Sequence, residues 1–238
     1  MGWKLLEGKG YRTFEWDRMD EGITKKDIEI LKESFKRNPE NKKVTLVVPA
    51  GSIDFSNSVV LQDLELRKIK TREVYYRNIM NVTEDSHSSL EFIAEPTLQE
   101  SLRCLSLILG NSDEASGLLD ALYAEVKPDN FRIYIVRKTG EDAGFFIPHI
   151  EPYTESEGRI FYFGITPEYR GLGLGSIIHK FALTSLRQEL KADSYIGSTD
   201  SDNLPMKRVF EKNGCRKVET IEIYSQGETK KSGYLSKT

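Results

Sequence analysis

In the stretch TPEYRGLGLGS, Thr166 to Ser176, three glycines alternate with leucines directly behind an arginine: Arg170, then Gly171, Gly173 and Gly175. Glycine loses more backbone freedom on folding than any other residue, so this density implies a need for bare main chain. The residues before it, Arg159 to Thr166, have the apolar and β-branched character of a strand. Those after it carry a helical apolar period starting near Gly173. A glycine loop between a strand and a helix brings several unpaired N–H groups to a helix N-terminus, where the helix dipole favours an anion. A plain turn would need one glycine. The spacing is G-x-G-x-G, not the G-x-G-x-x-G of a dinucleotide site, and no acidic residue ends an obvious next parallel strand about 20 residues later. The lysine of a phosphate-binding P-loop is also absent. A phosphate cradle of another kind is the reading left.

Groups suited to proton transfer lie on the strands nearby. His149 and Glu151 end the strand pattern AGFFIPHIEP, and Tyr162 lies in RIFYFGIT. His149 and Glu151 are able to bind or deprotonate a ligand, directly or through water, and Tyr162 either faces a ligand or packs the sheet. Asn203 opens a short helix and is suited to cap it. His179 sits beside the apolar face of the helix after the glycine loop and is read as structural. The three histidines (His87, His149, His179) and two cysteines (Cys104, Cys215) have no metal-ligand spacing, so no metal is expected.

The elements that must hold these residues follow from periodicity. LEFIAEP reads as a strand stopped by Pro96. Leu98 to Leu109 reads as a helix, and Asp113 to Val126 as a second, capped by Ser112 or Asp113. Three strands follow, FRIYIVRK, AGFFIPHIEP and RIFYFGIT, then the loop and a helix bearing Leu174, Ile177, Ile178, Phe181, Leu186 and Leu190. DSYIGSTD is a strand, Leu204 to Lys212 a helix ended at Asn213-Gly214, and RKVETIEIYS a last strand. The fold class is α/β with a mixed sheet.

The first 80 residues repeat part of this order. An offset of 149 residues lays RKIKTREVYY (Arg67 to Tyr76) on RKVETIEIYS (Arg216 to Ser225), with seven identities over the 24 positions from Ser52 to Tyr75. Asp54 then falls on Asn203 and Leu61 on Phe210. YRTFEW takes the place of IFYFGI, residues 24–37 that of the helix after the loop, and VTLVV that of SYIGS. The first copy lacks the glycines: Glu21 to Lys26 stands where Arg170 to Gly175 stands in the second, and only Gly22 survives. The organisation expected is a degenerate half at 1–82 and a complete domain at 83–238.

ITPEYRGLGLGSIIHKFAL resembles the acetyl-CoA loop of the GNAT superfamily of N-acetyltransferases, whose pattern of Arg or Gln, two residues, Gly, one residue, Gly or Ala is met by Arg170, Gly173 and Gly175. DNLPMKRVFEKNGCRKV is similar to that family's next motif, an Asn followed by a short helix ending in Lys-x-Gly-aromatic. The resemblance covers about residue 88 to the C-terminus. It implies a GNAT fold, preceded here by a partial repeat of itself. It also implies a splayed sheet whose fourth strand offers the main chain of Phe163, Gly164 and Ile165 to the pantetheine arm. The amides of Gly171, Leu172, Gly173, Leu174, Gly175 and Ser176 would take the pyrophosphate, with Arg170 adding charge. Asn203 and Phe210 would line the cofactor site, and an N–H at about Ile165 would polarise the thioester. Two positions depart from the family: Phe210 stands where the acid is usually Tyr, and Ser198 where some members place a glutamate base. Tyr162, Glu151 and His149 are the available substitutes.

The activity implied is transfer of acetyl from acetyl-CoA to a primary amine; the alternative is a non-catalytic acyl-CoA-binding sensor or scaffold. Net charge is −3, from 34 basic and 37 acidic side chains, which argues against a nucleic-acid partner. The clusters at Lys42-Lys43, Arg67 to Arg72 and Lys230-Lys231 read as solvated faces. No apolar run reaches 18 residues and the N-terminal stretch has no apolar signal region, so no membrane partner and a cytoplasmic location are expected. The acceptor's identity and the oligomeric state have no signature in the sequence.

Overall fold

The computed structural model describes residues 2–7, 11–16, 23–36, 42–52, 64–83 and 89–226. In chain order its elements are β1 (Trp3–Glu7), β2 (Tyr11–Trp16), α1 (Lys25–Lys36), β3 (Lys43–Pro49), β4 (Leu66–Asn78), β5 (Leu90–Ala94), α2 (Leu98–Leu109), α3 (Ser112–Glu125), β6 (Tyr134–Lys138), β7 (Glu141–Ile150), β8 (Glu157–Ile165), α4 (Leu174–Gln188), β9 (Ser194–Asp200), α5 (Leu204–Lys212) and β10 (Arg216–Gln226). Two compact units divide the chain, one of residues 1–74 and 219–232, the other of 75–218 and 233–238, so β4 and β10 each pass from one unit to the other.

In the first unit the strands run in the order β1-β2-β3-β10-β4. β1 is antiparallel to β2, β2 parallel to β3, and β3 antiparallel to β10. Alternate residues of β2 point inward, so Phe14 and Trp16 meet Leu31 and Phe35 of α1 together with Val44, Leu46 and Val48 of β3. Phe14 stacks on Phe35 with ring centroids 5.1 Å apart. β1 was not foreseen from the sequence: its five residues are too short and too mixed to carry a period.

The second unit is built on antiparallel β5-β6-β7-β8, with β9 parallel to β8. One face of this sheet is covered by α2 and α3, with Leu105, Ile108, Leu118 and Leu122 packed on Ile135, Phe145 and Ile147. The other is covered by α4 and α5, with Ile178, Ala182, Leu186 and Phe210 packed on Val136, Phe146, Phe163 and Tyr195. α2 starts at a reciprocal cap: Thr97 Oγ1 accepts from the Glu100 amide at 3.2 Å while Glu100 Oε2 accepts from the Thr97 amide at 2.9 Å. The cap of α3 is neither Ser112 nor Asp113 but Asn111, whose Oδ1 takes the amides of both Asp113 and Glu114. A side-chain oxygen reaches the N–H groups two and three residues on, so the capping residue lies one step earlier than composition suggested. The strand expected over FRIYIVRK is shorter, β6, because Phe131 forms only an isolated bridge with His149.

β2, α1, β3 and β4 recur in the same order as β8, α4, β9 and β10. Lys25 and Leu174, each the first residue of its helix, are separated by the offset read from the sequence. Both strand pairs, β2 with β3 and β8 with β9, are parallel. The first half thus keeps the order of the second, as a partial repeat requires. The overlay positions Asp54 and Leu61, the residual Gly22 and the Lys230-Lys231 cluster lie outside the described residues. The two pairs differ in extent. β2 and β3 pair from Tyr11 through Glu15, whereas β8 and β9 pair only at Glu157 with Ser194 and Gly158 with Tyr195.

Candidate active site

Beyond Gly158 the strands β8 and β9 part, and β8 runs on for seven residues to Ile165 without a ladder on that edge. At about 3.3 Å per residue this opens an edge of roughly 23 Å. The direction of its main-chain groups follows from the pairing with β7. The Thr166 amide donates to the Ala143 carbonyl at 3.1 Å. The intervening peptide plane therefore turns the Ile165 carbonyl the other way, toward the open edge. Alternation along the strand then turns the N–H and C=O of Phe163 to the same edge.

A β-bulge shapes the middle of this strand. Ile147 pairs with Tyr162 and Pro148 with Ile160, so Phe161 is the extra residue. Phe161 and Tyr162 both face the α2–α3 side as a result, while Ile160 and Phe163 face α4. Tyr162 is 6% exposed, and its buried Oη has no hydrogen-bond partner among the described residues. Burial pushes its phenol well above the usual tyrosine range, with Arg170 partly opposing the shift. The ring extends along the strand over Gly164, which has no side chain to obstruct it.

At the top of the open edge the chain makes one 3-10 turn, Pro167–Tyr169, and enters the glycine loop. Gly171 and Gly173 have φ of 77° and 76°, the left-handed region that costs other L-residues roughly 1–2 kcal/mol. A Cβ on either would meet nothing within 4 Å. Steric packing therefore does not demand these glycines; backbone conformation and access to the main chain do. Gly175 differs, since a Cβ there would come to 3.2 Å from Val209 and 3.4 Å from Ile165. Gly173 is the N-cap of α4, and no side chain caps that helix. The first-turn amides of Leu174, Gly175 and Ser176 are consequently left for a ligand, beside the half-exposed Leu172. These observations fit a phosphate-bearing ligand with an extended arm.

Arg170 does not reach into the loop. Its Nε donates to the Ile165 carbonyl at 3.0 Å and its Nη2 to the Ile108 carbonyl at 3.3 Å, joining the end of β8 to the end of α2. Asn203 caps α5, its Oδ1 accepting from the Met206 amide at 3.1 Å. Phe210 is buried against Tyr75, Tyr195 and His179, with centroids 4.8, 6.2 and 5.4 Å away.

His149 and Glu151 come together away from the loop. His149 Nε2 lies 3.5 Å from Glu151 Oε2, and Arg159 Nε lies 3.3 Å from that same oxygen. Arg159 also binds Glu157 at 2.7 Å, so the cluster sits where β8 and β9 are still paired. Register puts His149 opposite Arg159 and Tyr162 opposite Ile147. Tyr162 is thus midway between this cluster and the loop. Sequence reasoning missed Arg159, which had no motif to mark it, and the bulge at Phe161, which only the cross-strand register reveals.

Residues 98–215 match the Acetyltransferase (GNAT) family. No curated protein matches the chain in sequence. Solved structures of similar fold include a GCN5-related N-acetyltransferase from Kribbella flavida, 10% identical over 96% of this chain and 91% of that one, with a TM-score of 0.62. A tandem GNAT protein from the clavulanic acid biosynthesis pathway is 14% identical over 95% and 79%, at 0.61. An acetyltransferase of the GNAT family from Colwellia psychrerythraea is 11% identical over 95% and 82%, at 0.59. At such identities the likeness is one of fold, and the tandem protein accords with a repeated half in this chain.

Proposed function

Residues 98–215 of this chain are an acetyltransferase domain of the GNAT family, and from that premise we propose that the protein transfers an acetyl group from acetyl-CoA to a primary amine of a small molecule or peptide. The observation that carries this reading is the parting of β8 and β9 beside an uncapped helix N-terminus. In the proposal the amides of Gly171 to Ser176 hold the pyrophosphate. The main chain of Phe163 and Ile165 lines the pantetheine arm, with Gly164 between them, and Asn203 and Phe210 close the far side. Arg170 serves by fixing the edge of β8 rather than by touching phosphate.

For the reaction, the neutral amine attacks the thioester carbon and the C–S bond breaks. The proton lost by the amine is taken up by the site, and CoA leaves as its thiolate. An edge N–H of β8, that of Phe163 or Ile165, supports the oxyanion. The Tyr162 hydroxyl is a neutral donor near the reacting atoms, its proton retained by burial. His149 and Glu151 relay the amine proton from the paired end of the strands. Residues 83–238 act as the catalytic domain and residues 1–82 as its degenerate repeat. Among the described residues no helix is long and apolar enough to cross a membrane; a cytoplasmic setting is part of the proposal.

Phe210, 2% exposed where the family's acid stands, favours a second reading, an acyl-CoA-binding protein without turnover. Calorimetric titration with CoA and acetyl-CoA tests what both readings share, and binding of neither refutes both. Thiol release from acetyl-CoA across a panel of primary amines then separates them: release with any amine supports the transferase, and none supports the binder.

A further inference from the structure

We infer that Asn213, held by His179, is a positioning residue for the anion cradle, and this rests on the reading above that the cradle takes CoA. Asn213 follows the last residue of α5 and is buried. In sequence it reads as a helix stop. Its side chain does something more specific: Nδ2 donates to the Ser176 carbonyl at 2.9 Å and lies 3.1 Å from His179 Nδ1. Ser176 belongs to the first turn of α4, whose amides form the cradle.

The assignment of atoms follows from chemistry. A carbonyl oxygen only accepts, so the Asn213 group facing Ser176 must be the NH2. That group has two hydrogens, and the second points to His179 Nδ1, which must accept it. The imidazole is therefore neutral with its proton on Nε2. Burial, with Arg77 adding to it, lowers its pKa to about 3 and keeps it so. Nε2 is buried with no hydrogen-bond partner among the described residues, and the imidazole lies among the rings of Phe163, Tyr195 and Phe210, each edge-on to it. A phenylalanine would fill that space without a stranded N–H. What histidine supplies here is the acceptor Nδ1, which fixes the Asn213 amide on Ser176.

The corner carrying Asn213 is itself anchored. Arg77 Nη1 donates to the Asn213 carbonyl. Val209, one turn earlier on α5, leaves little room for a side chain at Gly175, where a Cβ would come to 3.2 Å from it. α4 is thus tied to the end of α5 by two bonds from one amide group, to Ser176 in its first turn and to His179. Its amides point at a fixed place before any ligand arrives, which removes an ordering cost from anion binding.

The test compares wild type, Asn213→Ala, Asn213→Ser and His179→Phe by CoA titration and by amide hydrogen exchange without ligand. Asn213→Ala is expected to raise the Kd for CoA about tenfold and to speed exchange in residues 171–177, leaving β6 and β7 unchanged. Asn213→Ser, which keeps one donor, should fall between and carries the test if the alanine variant does not fold. His179→Phe should give a smaller rise than Asn213→Ala, because the bond to Ser176 survives. Unchanged CoA affinity in the Asn213 variants, or exchange accelerated equally in β6 and β7, overturns the positioning role. A wild-type protein that does not bind CoA instead overturns the functional reading beneath it, and this inference with it.

Discussion

A Cβ on Gly164 would stand 2.8 Å from the phenol oxygen of Tyr162, two residues earlier on the same strand. The ring therefore lies along β8 over Gly164 on the α2–α3 face, and its buried hydroxyl has no hydrogen-bond partner among the described residues. A buried hydroxyl without a partner opposes folding by about 1–3 kcal/mol. Tyr162→Phe is accordingly expected to raise the unfolding free energy by about 1 kcal/mol while lowering turnover at least tenfold. Chemical denaturation and thiol-release rates on one preparation measure both. A variant less stable and fully active would remove Tyr162 from the site.

Gly173 permits a test that separates charge from shape. Aspartate and asparagine both tolerate the left-handed backbone at φ 76° better than most residues, and both find open space there. Gly173→Asp places a negative charge beside the cradle; Gly173→Asn does not. Calorimetry should show CoA binding abolished in the aspartate variant and weakened about tenfold or less in the asparagine one. Equal losses would mean that the loop's shape, not its field, governs binding.

The lowered pKa of His179 gives a signed pH dependence. An ordinary histidine titrates near 6.5 and this one at about 3. Between those values the unfolded chain holds the extra proton and the folded chain does not. The contribution is therefore complete above pH 6.5 and is lost as the pH falls toward 3, at up to about 1.4 kcal/mol per pH unit. Urea denaturation from pH 7 to pH 4 should show this loss, and His179→Phe should flatten it. An identical slope in both proteins would show that His179 is solvated.

Both cysteines are free and buried, and burial pushes each thiol up to about 12. Cys104 and Cys215 should resist an aromatic disulfide reagent at pH 8 in the native protein and react together in denaturant. Fast labelling of either before unfolding would show that its neighbourhood opens.

The glycine loop, the cap at Asn203 and the bounds of most elements were legible because each rests on local chemistry: a period, a cap or a left-handed backbone. The offset between the halves was legible because duplication preserves register, and Lys25 and Leu174 both open helices. What stayed hidden depends on pairing across the sheet. The bulge at Phe161 exists only relative to β7, and it decides that Tyr162 faces α2 while Phe163 faces α4. The target of Arg170 is a carbonyl 62 residues earlier, beyond any local pattern. Asn213 was visible as a stop signal, but its hydrogen bond to Ser176, 37 residues away, was not.

The pairing of β2 with β3 through Glu15, where β8 and β9 have separated, leads to an expected stoichiometry under the proposed function. A strand pair zipped along its length leaves no edge for an extended arm, and opening it would break ladder hydrogen bonds that nothing replaces. The chain repeats its architecture but not its vacancy. Saturation should come at one equivalent of CoA per polypeptide, the first half being the fold's own built-in blank.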